Sequence, residues 1–456
     1  MRQRTAGIIS RKKQYRTKGS NSLAPFLHNK ELDVAKLIVK NSGPLHGEVK
    51  ISGSKNAVLP ILAATLLTEE ECIIQDAPAL RDVEVMNQLL MSLGAKVESD
   101  LDNNIVKVKA EGEISCEAPF ELVKMMRASI LVLGALLLRS GRALIHLPGG
   151  CAIGERPIEL HLKGLRALGA EINEQSLAKG IVDAKADKLK GSTIYLDFPS
   201  VGATEVIIMA ATLAEGTTVL ENAAQEPEIV DLANYLNKMG ARIKGAGTDT
   251  VKIEGVEKLH GVDHHVIPDR IEAGTFMVSA AITKGRVLVK NMLPDHLKAV
   301  IAKLRECGVV IENTDEGVIV DGSQNTIVST DMKTLPYPGF PTDMQSPFMA
   351  LLTVAKGPSV VMETVFENRF MHVAEFNRMG ANIRTEGKCA IIPGGRQLHG
   401  APVIATDLRA GASVVLTGLV ADGTTEVSQI YHIDRGYEHF VEKLKALGAD
   451  IERIED

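Results

Sequence analysis

The sequence predicts an α/β fold of two similar domains, each assembled from three repeat units of one kind. Three observations predict it. A motif of Leu, Met or Cys, then Gly, then Ala or Val recurs six times, as Leu93-Gly94-Ala95, Leu168-Gly169-Ala170, Met239-Gly240-Ala241, Cys307-Gly308-Val309, Met379-Gly380-Ala381 and Leu447-Gly448-Ala449; the glycines are 75, 71, 68, 72 and 68 residues apart. Each unit carries two helix-like stretches of opposite character, one mixed and one almost wholly apolar. A chain of 456 residues, 45% of them hydrophobic, fills cores for two or three ordinary domains, and its 40 glycines with only 4% aromatics point to tight turns and small aliphatic packing.

Within a unit, each of these glycines is expected to end a helix in the left-handed region, where a side chain is strained. The alternation that follows, as in Lys96-Val97-Glu98 and Asp450-Ile451-Glu452, reads as a strand. The same helices are expected to begin near an acidic residue, Asp82, Glu155, Glu228, Asp295, Glu367 or Asp434, which suits the exposed amides of a first turn. The apolar helices are predicted over 57–67, 129–138, 206–214, 275–282, 347–355 and 412–421, and turns such as Glu215-Gly216-Thr217 and Asp422-Gly423-Thr424 lead from them into β-branched strands. An all-apolar helix must be enclosed, whereas the mixed helix lies partly in solvent. One unit cannot cover its own inner helix, so neighbours pack together, and three per domain divides six most simply. A cleft between two such domains is a usual ligand site and draws residues from both halves of the chain.

Charge narrows the partners. The first 33 residues carry eight basic side chains against Glu31 and Asp33, which leaves the body from Val34 onward at −12 against −6 for the whole chain. Such a body argues against a nucleic-acid or anionic-membrane surface, so arginines inside it point to a specific small anion. The basic segment reads either as a targeting peptide or as a start codon placed too early. The longest apolar run, 128–138, is closed by Arg127 and Arg139 and is too short to span a bilayer. Five cysteines, Cys72, Cys116, Cys151, Cys307 and Cys389, are odd in number and lack metal-ligand spacing, as suits a reducing cytoplasm.

Several loops carry residues that no core or cap requires. In Pro148-Gly149-Gly150-Cys151-Ala152-Ile153-Gly154-Glu155-Arg156-Pro157, a thiol lies beside an arginine and a helix start, which lowers a thiol pKa and suits a nucleophile or positioned proton donor. A lone cysteine is more often a small buried hydrophobe, which is the expectation for Cys72 and Cys307. Lys55 in Ser52-Gly53-Ser54-Lys55-Asn56 stands at the start of an apolar helix, where amides and ammonium together suit phosphate, although such a lysine is usually just solvated. Arg127, Arg156, Arg369, Arg409 and Arg435 lie far apart along the chain, mostly at junctions; each alone reads as a surface ion pair, whereas together they match a ligand with carboxylate and phosphate groups. Asp343 in Phe340-Pro341-Thr342-Asp343 reads as a helix cap or as a base for a hydroxyl proton.

Taken in order, 52–57, 122–129, 147–157, 200–204, 226–231, 268–272, 340–345, 366–370, 407–410 and 431–436 closely resemble the enolpyruvyl transferase family, in its UDP-N-acetylglucosamine 1-carboxyvinyltransferase branch, from about Leu37 to the C-terminus. The resemblance implies an inside-out α/β barrel, two domains each of three βαβαββ-like units. It also implies a discontinuous domain of 37–51 plus 268–456, an inserted domain of 52–267, and an N-terminal extension, 1–36, that is basic and expected to be disordered. It implies transfer of the enolpyruvyl group of phosphoenolpyruvate to the 3-hydroxyl of UDP-N-acetylglucosamine, the first committed step of peptidoglycan precursor synthesis, by addition and elimination with loss of phosphate. Cys151 would protonate the methylene carbon of phosphoenolpyruvate or bond to it, Asp343 would help remove the hydroxyl proton, and Lys55 and Arg435, with Arg127 and Arg156, would meet phosphate or carboxylate. Arg369 and Arg409 would grip the phosphoenolpyruvate carboxylate region. Asn56, Pro157, Ile158, Glu159, Leu160, His161, Ser200, Gly202, Glu226 and Val365 would line the amino-sugar and nucleotide site, with Asp269 between the domains. No metal or organic cofactor is implied, the partners are the two small substrates, and a cytoplasmic monomer is expected. The sequence departs from the family pattern at Gly411, where a serine is usual, and at Glu159, where an aspartate is common. Its nearest rival is the sister enzyme acting on shikimate 3-phosphate, which does not require the Gly149-Gly150-Cys151 loop; an inactive UDP-sugar sensor would have lost Cys151, Lys55, Asp343 or Arg435.

Overall fold

The computed structural model describes residues 35–147, 153–154 and 156–455. Among them the six glycines of the repeat, Gly94, Gly169, Gly240, Gly308, Gly380 and Gly448, all have φ between 92 and 113°. After each one, the next amide closes back on the carbonyl five residues upstream (Ala95 on Leu90, Ala170 on Leu165, Ala241 on Leu236, Val309 on Leu304, Ala381 on Phe376, Ala449 on Leu444). This is a Schellman ending repeated six times, and only glycine enters it without strain.

The mixed helices are Arg81–Leu93, Glu159–Ala167, Pro227–Lys238, Lys298–Glu306, Val373–Arg378 and Phe440–Ala446. Asp82 and Glu228 sit in first turns as expected, and Asp295 lies in the 3-10 turn Pro294–Leu297 before its helix. The expectation fails at Glu367 and Asp434. Glu367 precedes its helix by several residues, and Asp434 ends a separate short helix, Tyr431–Asp434, parted from Phe440–Ala446 by His439 at φ 50°. Glu155 lies outside the described residues.

The apolar helices are Lys55–Ala64, Val132–Ser140, Val201–Ala211, Arg270–Ile282, Gln345–Val354 and Leu408–Gly418. All but the second begin two to five residues before the predicted start, because polar side chains lead them in: Ser54, Ser200, Asp269 and Asp407 each accept an amide hydrogen bond at an N-cap. Val132–Ser140 is preceded by the 3-10 turn Arg127–Leu131, within which the predicted start falls. Polar N-termini on otherwise apolar helices are what bring charged groups to the centre of the molecule.

Strands follow a single plan six times. In each sheet three strands pair antiparallel in a row, and the strand that precedes the mixed helix takes a parallel neighbour on its other side. Thus Glu71–Gln75 pairs parallel with Asp263–His265, Thr217–Glu221 with Thr193–Tyr195, Arg286–Lys290 with His46–Lys50, Ser359–Met362 with Met332–Lys333, and Thr424–Ser428 with Pro402–Ile404. Arg142–His146 has only an isolated bridge from Leu144 to Glu117 in that place. Strands such as Lys36–Lys40 and Arg286–Lys290 bury alternate residues, so each sheet turns one face inward and one outward. Helices occupy the inside and sheets the outside, and the sheets are separate: none of those described closes into a cylinder.

Two buried clusters result. One runs from Ala57 to Val266, and the other combines Leu37 to Ile51 with Ile271 to Ile451. Lys36–Lys40 lies between Thr424–Ser428 and Ile451–Ile454, antiparallel to both. The chain passes between the clusters twice, at 51–55 and 266–270, and the two passages are joined: Ser54 donates to the Ile267 carbonyl at 2.7 Å and Asp269 to that of Ser52 at 2.9 Å. Gly53 is required there, because a Cβ would fall 1.8 Å from the carbonyl oxygen of Asp76.

Candidate active site

The N-termini of two inner helices, Lys55–Ala64 and Arg270–Ile282, meet beside these passages. Ser54 caps Lys55–Ala64, so Lys55 starts the helix with its amide on Asp269 Oδ2 at 3.2 Å, while Asp269 Oδ1 takes the Ile271 and Glu272 amides. One carboxylate therefore ties the first turns of two inner helices, one from each cluster. The Lys55 ammonium reaches Asp82 Oδ2 at 3.4 Å, and the other oxygen of Asp82 accepts from Arg435 Nε at 2.8 Å.

A second group lies around Asp343, in the 3-10 turn Thr342–Met344 that leads into Gln345–Val354. Its two oxygens take Arg369 Nη2 at 2.9 Å and Arg409 Nε at 3.1 Å. Burial alone would raise the Asp343 pKa, but Arg369, Arg409 and, less strongly, Lys55 outweigh it and hold the carboxyl well below the usual carboxylate range. The guanidiniums are not saturated: Arg369 Nη1 and Arg409 Nη1 and Nη2 are buried without a hydrogen-bond partner among the described residues. A buried donor left unmade is costly, so these three mark a place shaped for an anion.

The turn carrying Arg369 is organised by Glu363, which accepts from Thr334, Thr342 and the Val365 and Phe366 amides. Phe366 then stands between two guanidiniums, Arg156 at 4.6 Å and Arg369 at 5.6 Å from its ring centre. Because Arg156 belongs to the first half of the chain and Phe366 to the second, the ring spans the two. The Asn368 amide donates to the Ile153 carbonyl at 3.1 Å, and Gly154 passes so close to Glu367 that a Cβ would meet its carboxyl carbon at 2.7 Å.

A third group lines the first half. Pro157 and Ile158 lead into Glu159–Ala167, whose first turn holds Glu159 and Leu160 and whose His161 is buried, with Nδ1 unpartnered. Burial, with the charge of Arg127, lowers the His161 pKa to about 4. Gly202, two residues past the Ser200 cap, lets the ring approach; a Cβ would come to 2.9 Å of His161 Nε2. Glu226 precedes Pro227–Lys238 with Oε2 buried and unpartnered, and burial raises its pKa. Next to it, Arg270 Nε bonds Glu228 at 3.0 Å.

The structure thus brings together Lys55, Arg435 and Asp269 in one group, Asp343, Arg369, Arg409, Val365 and Arg156 in a second, and Arg127, His161, Ser200 and Gly202 in a third. Asn56 follows Lys55 in the same helical turn. Cys151 lies outside the described residues. Cys72 and Cys307 are fully buried, as expected of core positions, and burial pushes the Cys307 thiol up to about 12. Sequence reasoning passed over Asp82, Glu363 and Arg270. Asp82 read only as a first-turn acid, Glu363 has no motif around it, and Arg270 was hidden by the prediction of its helix from Thr275.

Against known proteins, the profile of the EPSP synthase (3-phosphoshikimate 1-carboxyvinyltransferase) family matches residues 39–444. A UDP-N-acetylglucosamine 1-carboxyvinyltransferase 1 from Caldanaerobacter subterraneus subsp. tengcongensis is 61% identical over 418 residues, 92% of this chain and 99% of that protein. A UDP-N-acetylglucosamine 1-carboxyvinyltransferase 2 from Carboxydothermus hydrogenoformans is 58% identical over 92% of this chain and all of its own length. Among solved structures, the enolpyruvyl transferase NikO from Streptomyces tendae superposes with a TM-score of 0.82 at 26% identity, covering 93% of this chain and 100% of that one.

Proposed function

The chain belongs to the EPSP synthase family of carboxyvinyltransferases, and from that premise we propose how its residues carry out the reaction. It is a UDP-N-acetylglucosamine 1-carboxyvinyltransferase: it transfers the enolpyruvyl group of phosphoenolpyruvate to UDP-N-acetylglucosamine and releases phosphate. The observation that carries this choice of acceptor, over the shikimate 3-phosphate of the family's own name, is the 61% identity to a UDP-N-acetylglucosamine relative across nearly the whole of both chains.

Three unmet guanidinium donors beside Asp343 support a site for the carboxylate and phosphate of phosphoenolpyruvate, held by Arg369 and Arg409 with Lys55 and Arg435 nearby. The sugar 3-oxygen attacks C2 of phosphoenolpyruvate and gives its proton to Asp343, while Cys151 supplies a proton to C3. Loss of that C3 proton with expulsion of phosphate then leaves the enol ether. Asp343 is a weak base as long as both arginines hold it, so taking the hydroxyl proton requires that the substrate's own anionic groups draw them away. Fixed cations around a dry site stabilise the charge that builds on carboxylate and phosphate. We set the domain boundaries at 51/52 and 267/268, a division that the two buried clusters support, with the site between the halves. The absence of any described helix long and apolar enough to cross a membrane is compatible with substrates met in the cytoplasm.

Phosphate release from phosphoenolpyruvate, measured with UDP-N-acetylglucosamine or shikimate 3-phosphate as acceptor, tests the reading. Turnover with the first alone is expected, and turnover with the second alone overturns it.

A further inference from the structure

Asp82 stands where the family motifs say nothing, and its geometry is not that of a helix acid. An aspartate in a first turn ordinarily serves the amides beneath it. Here the cap residue of Arg81–Leu93 is Leu80, which makes no side-chain cap, and both oxygens of Asp82 are turned away to cations: Oδ1 to Arg435 Nε at 2.8 Å and Oδ2 to Lys55 Nζ at 3.4 Å. The Asp82 side chain is 5% exposed, Lys55 15% and Arg435 31%, so the three charges meet in a largely enclosed place. Arg435 follows the short helix Tyr431–Asp434 in the second half, whereas Lys55 and Asp82 belong to the first.

Lys55 and Arg435 carry like charges and face each other from opposite halves. With nothing between them they repel, and each long side chain samples many rotamers before a ligand arrives. A carboxylate with one oxygen for each removes the repulsion and fixes their separation. Asp343 does the same for Arg369 and Arg409, but that carboxylate is assigned a proton to take, whereas the side chain of Asp82, among the described residues, bonds to the two cations alone.

We propose that Asp82 is a positioning residue for the transfer reaction, holding Lys55 and Arg435 at a set spacing so that an anionic substrate meets both at once. The proposal rests on the reading of the chain as a carboxyvinyltransferase only for the choice of reaction; the placement of two cations by one carboxylate is independent of it. It carries a consequence of opposite signs. Without the internal anion the two cations are left uncompensated, so a simple anion binds more tightly; without the spacing, the reacting groups are misplaced and turnover falls.

The test uses the full chain with Asp82→Asn and Asp82→Glu, and two readouts. Inorganic phosphate binding by calorimetry is expected to tighten several-fold in Asp82→Asn, while kcat for phosphate release from phosphoenolpyruvate falls roughly 10- to 100-fold. Asp82→Glu, which keeps the charge and moves it by one methylene, is expected to bind phosphate as the parent does and still lose turnover. Weakened phosphate binding together with slower turnover in Asp82→Asn, or unchanged kcat in both variants, overturns the proposal. If Asp82→Asn does not fold, Asp82→Glu decides: parental kcat overturns it and reduced kcat at parental phosphate affinity supports it. Were the parent itself inactive on UDP-N-acetylglucosamine, the functional reading would fail, while the phosphate measurement would still decide the role of Asp82.

Discussion

Histidine 161 shows how much one side chain is shaped by its surroundings. Burial and Arg127 hold it near 4 against 6.5 for a free imidazole. Between those values the unfolded chain takes up a proton that the folded one refuses, so folding stability is lost as pH falls through the window from about 6.5 to 4. The loss is on the order of 3 kcal/mol for this group. Denaturant unfolding at pH 7 and pH 4.5 should show a smaller drop in His161→Gln than in the parent, and equal drops would count against a neutral buried ring. At Cys151, alanine is expected to abolish turnover while thermal unfolding stays unchanged, and the epoxide fosfomycin should label the parent alone. Labelling at Cys72 or Cys307, both fully buried, would remove Cys151 from its role. Legibility differs from residue to residue for a physical reason. Lys55, Arg369, Arg409 and Asp343 stand in the short motifs that carry the family resemblance. Asp82 does its work with partners 27 and 353 residues away along the chain, and nothing in its own neighbourhood shows that.

Among the elements, the helix endings were readable and the helix beginnings were not. An ending such as Gly448 is a backbone requirement at one position, written directly as glycine. The inner helices begin earlier than the apolar pattern suggests because Asp269, Arg270 and Glu272 belong to Arg270–Ile282 yet point to partners across the site rather than into the core. The two kinds of glycine lead to opposite expectations. At Gly448 φ is +97° and no atom lies within 4 Å of an added Cβ, so Gly448→Ala is expected to cost about 1–2 kcal/mol of stability, read as a lower denaturation midpoint, with turnover of the folded protein unchanged. Gly202 is helical, where alanine is favoured by about 1 kcal/mol, but its Cβ would push on His161 Nε2 at 2.9 Å. Gly202→Ala should therefore keep or raise the midpoint and raise the KM for UDP-N-acetylglucosamine about 10-fold. A raised midpoint with unchanged KM would show that the contact with His161 is slack.

On the scale of the molecule, the six units and their grouping were legible from spacing, because repeated caps are local and numerous. That Lys36–Lys40 completes the last sheet, and that the chain passes between the clusters twice, is a matter of pairing between remote segments, to which periodicity is blind; only the family resemblance indicated it. The joint between halves is fastened beside those passages by Glu438, which accepts from the Ser52 hydroxyl, from the Ala79 amide at 2.5 Å and from Asn104 at 2.8 Å. Burial would raise its pKa, but these bonds outweigh it and keep Glu438 below the usual range. Glu438→Ala leaves three donors without an acceptor and is expected to cost about 2–3 kcal/mol. It should also enlarge the radius of gyration of the substrate-free protein in solution scattering, and an unchanged radius would place the hold between the halves elsewhere.

The strand at Lys36–Lys40 also sets an order of events during synthesis. The cluster from Ala57 to Val266 has all its strands once Asp263–His265 has left the ribosome to lie beside Glu71–Gln75. The other cluster does not: its earliest strand emerges long before either neighbour and stays without a partner until Thr424–Ser428 and Ile451–Ile454 have been translated. One half of the enzyme can therefore assemble on the nascent chain early, while the other becomes complete only once Ile451–Ile454 has emerged.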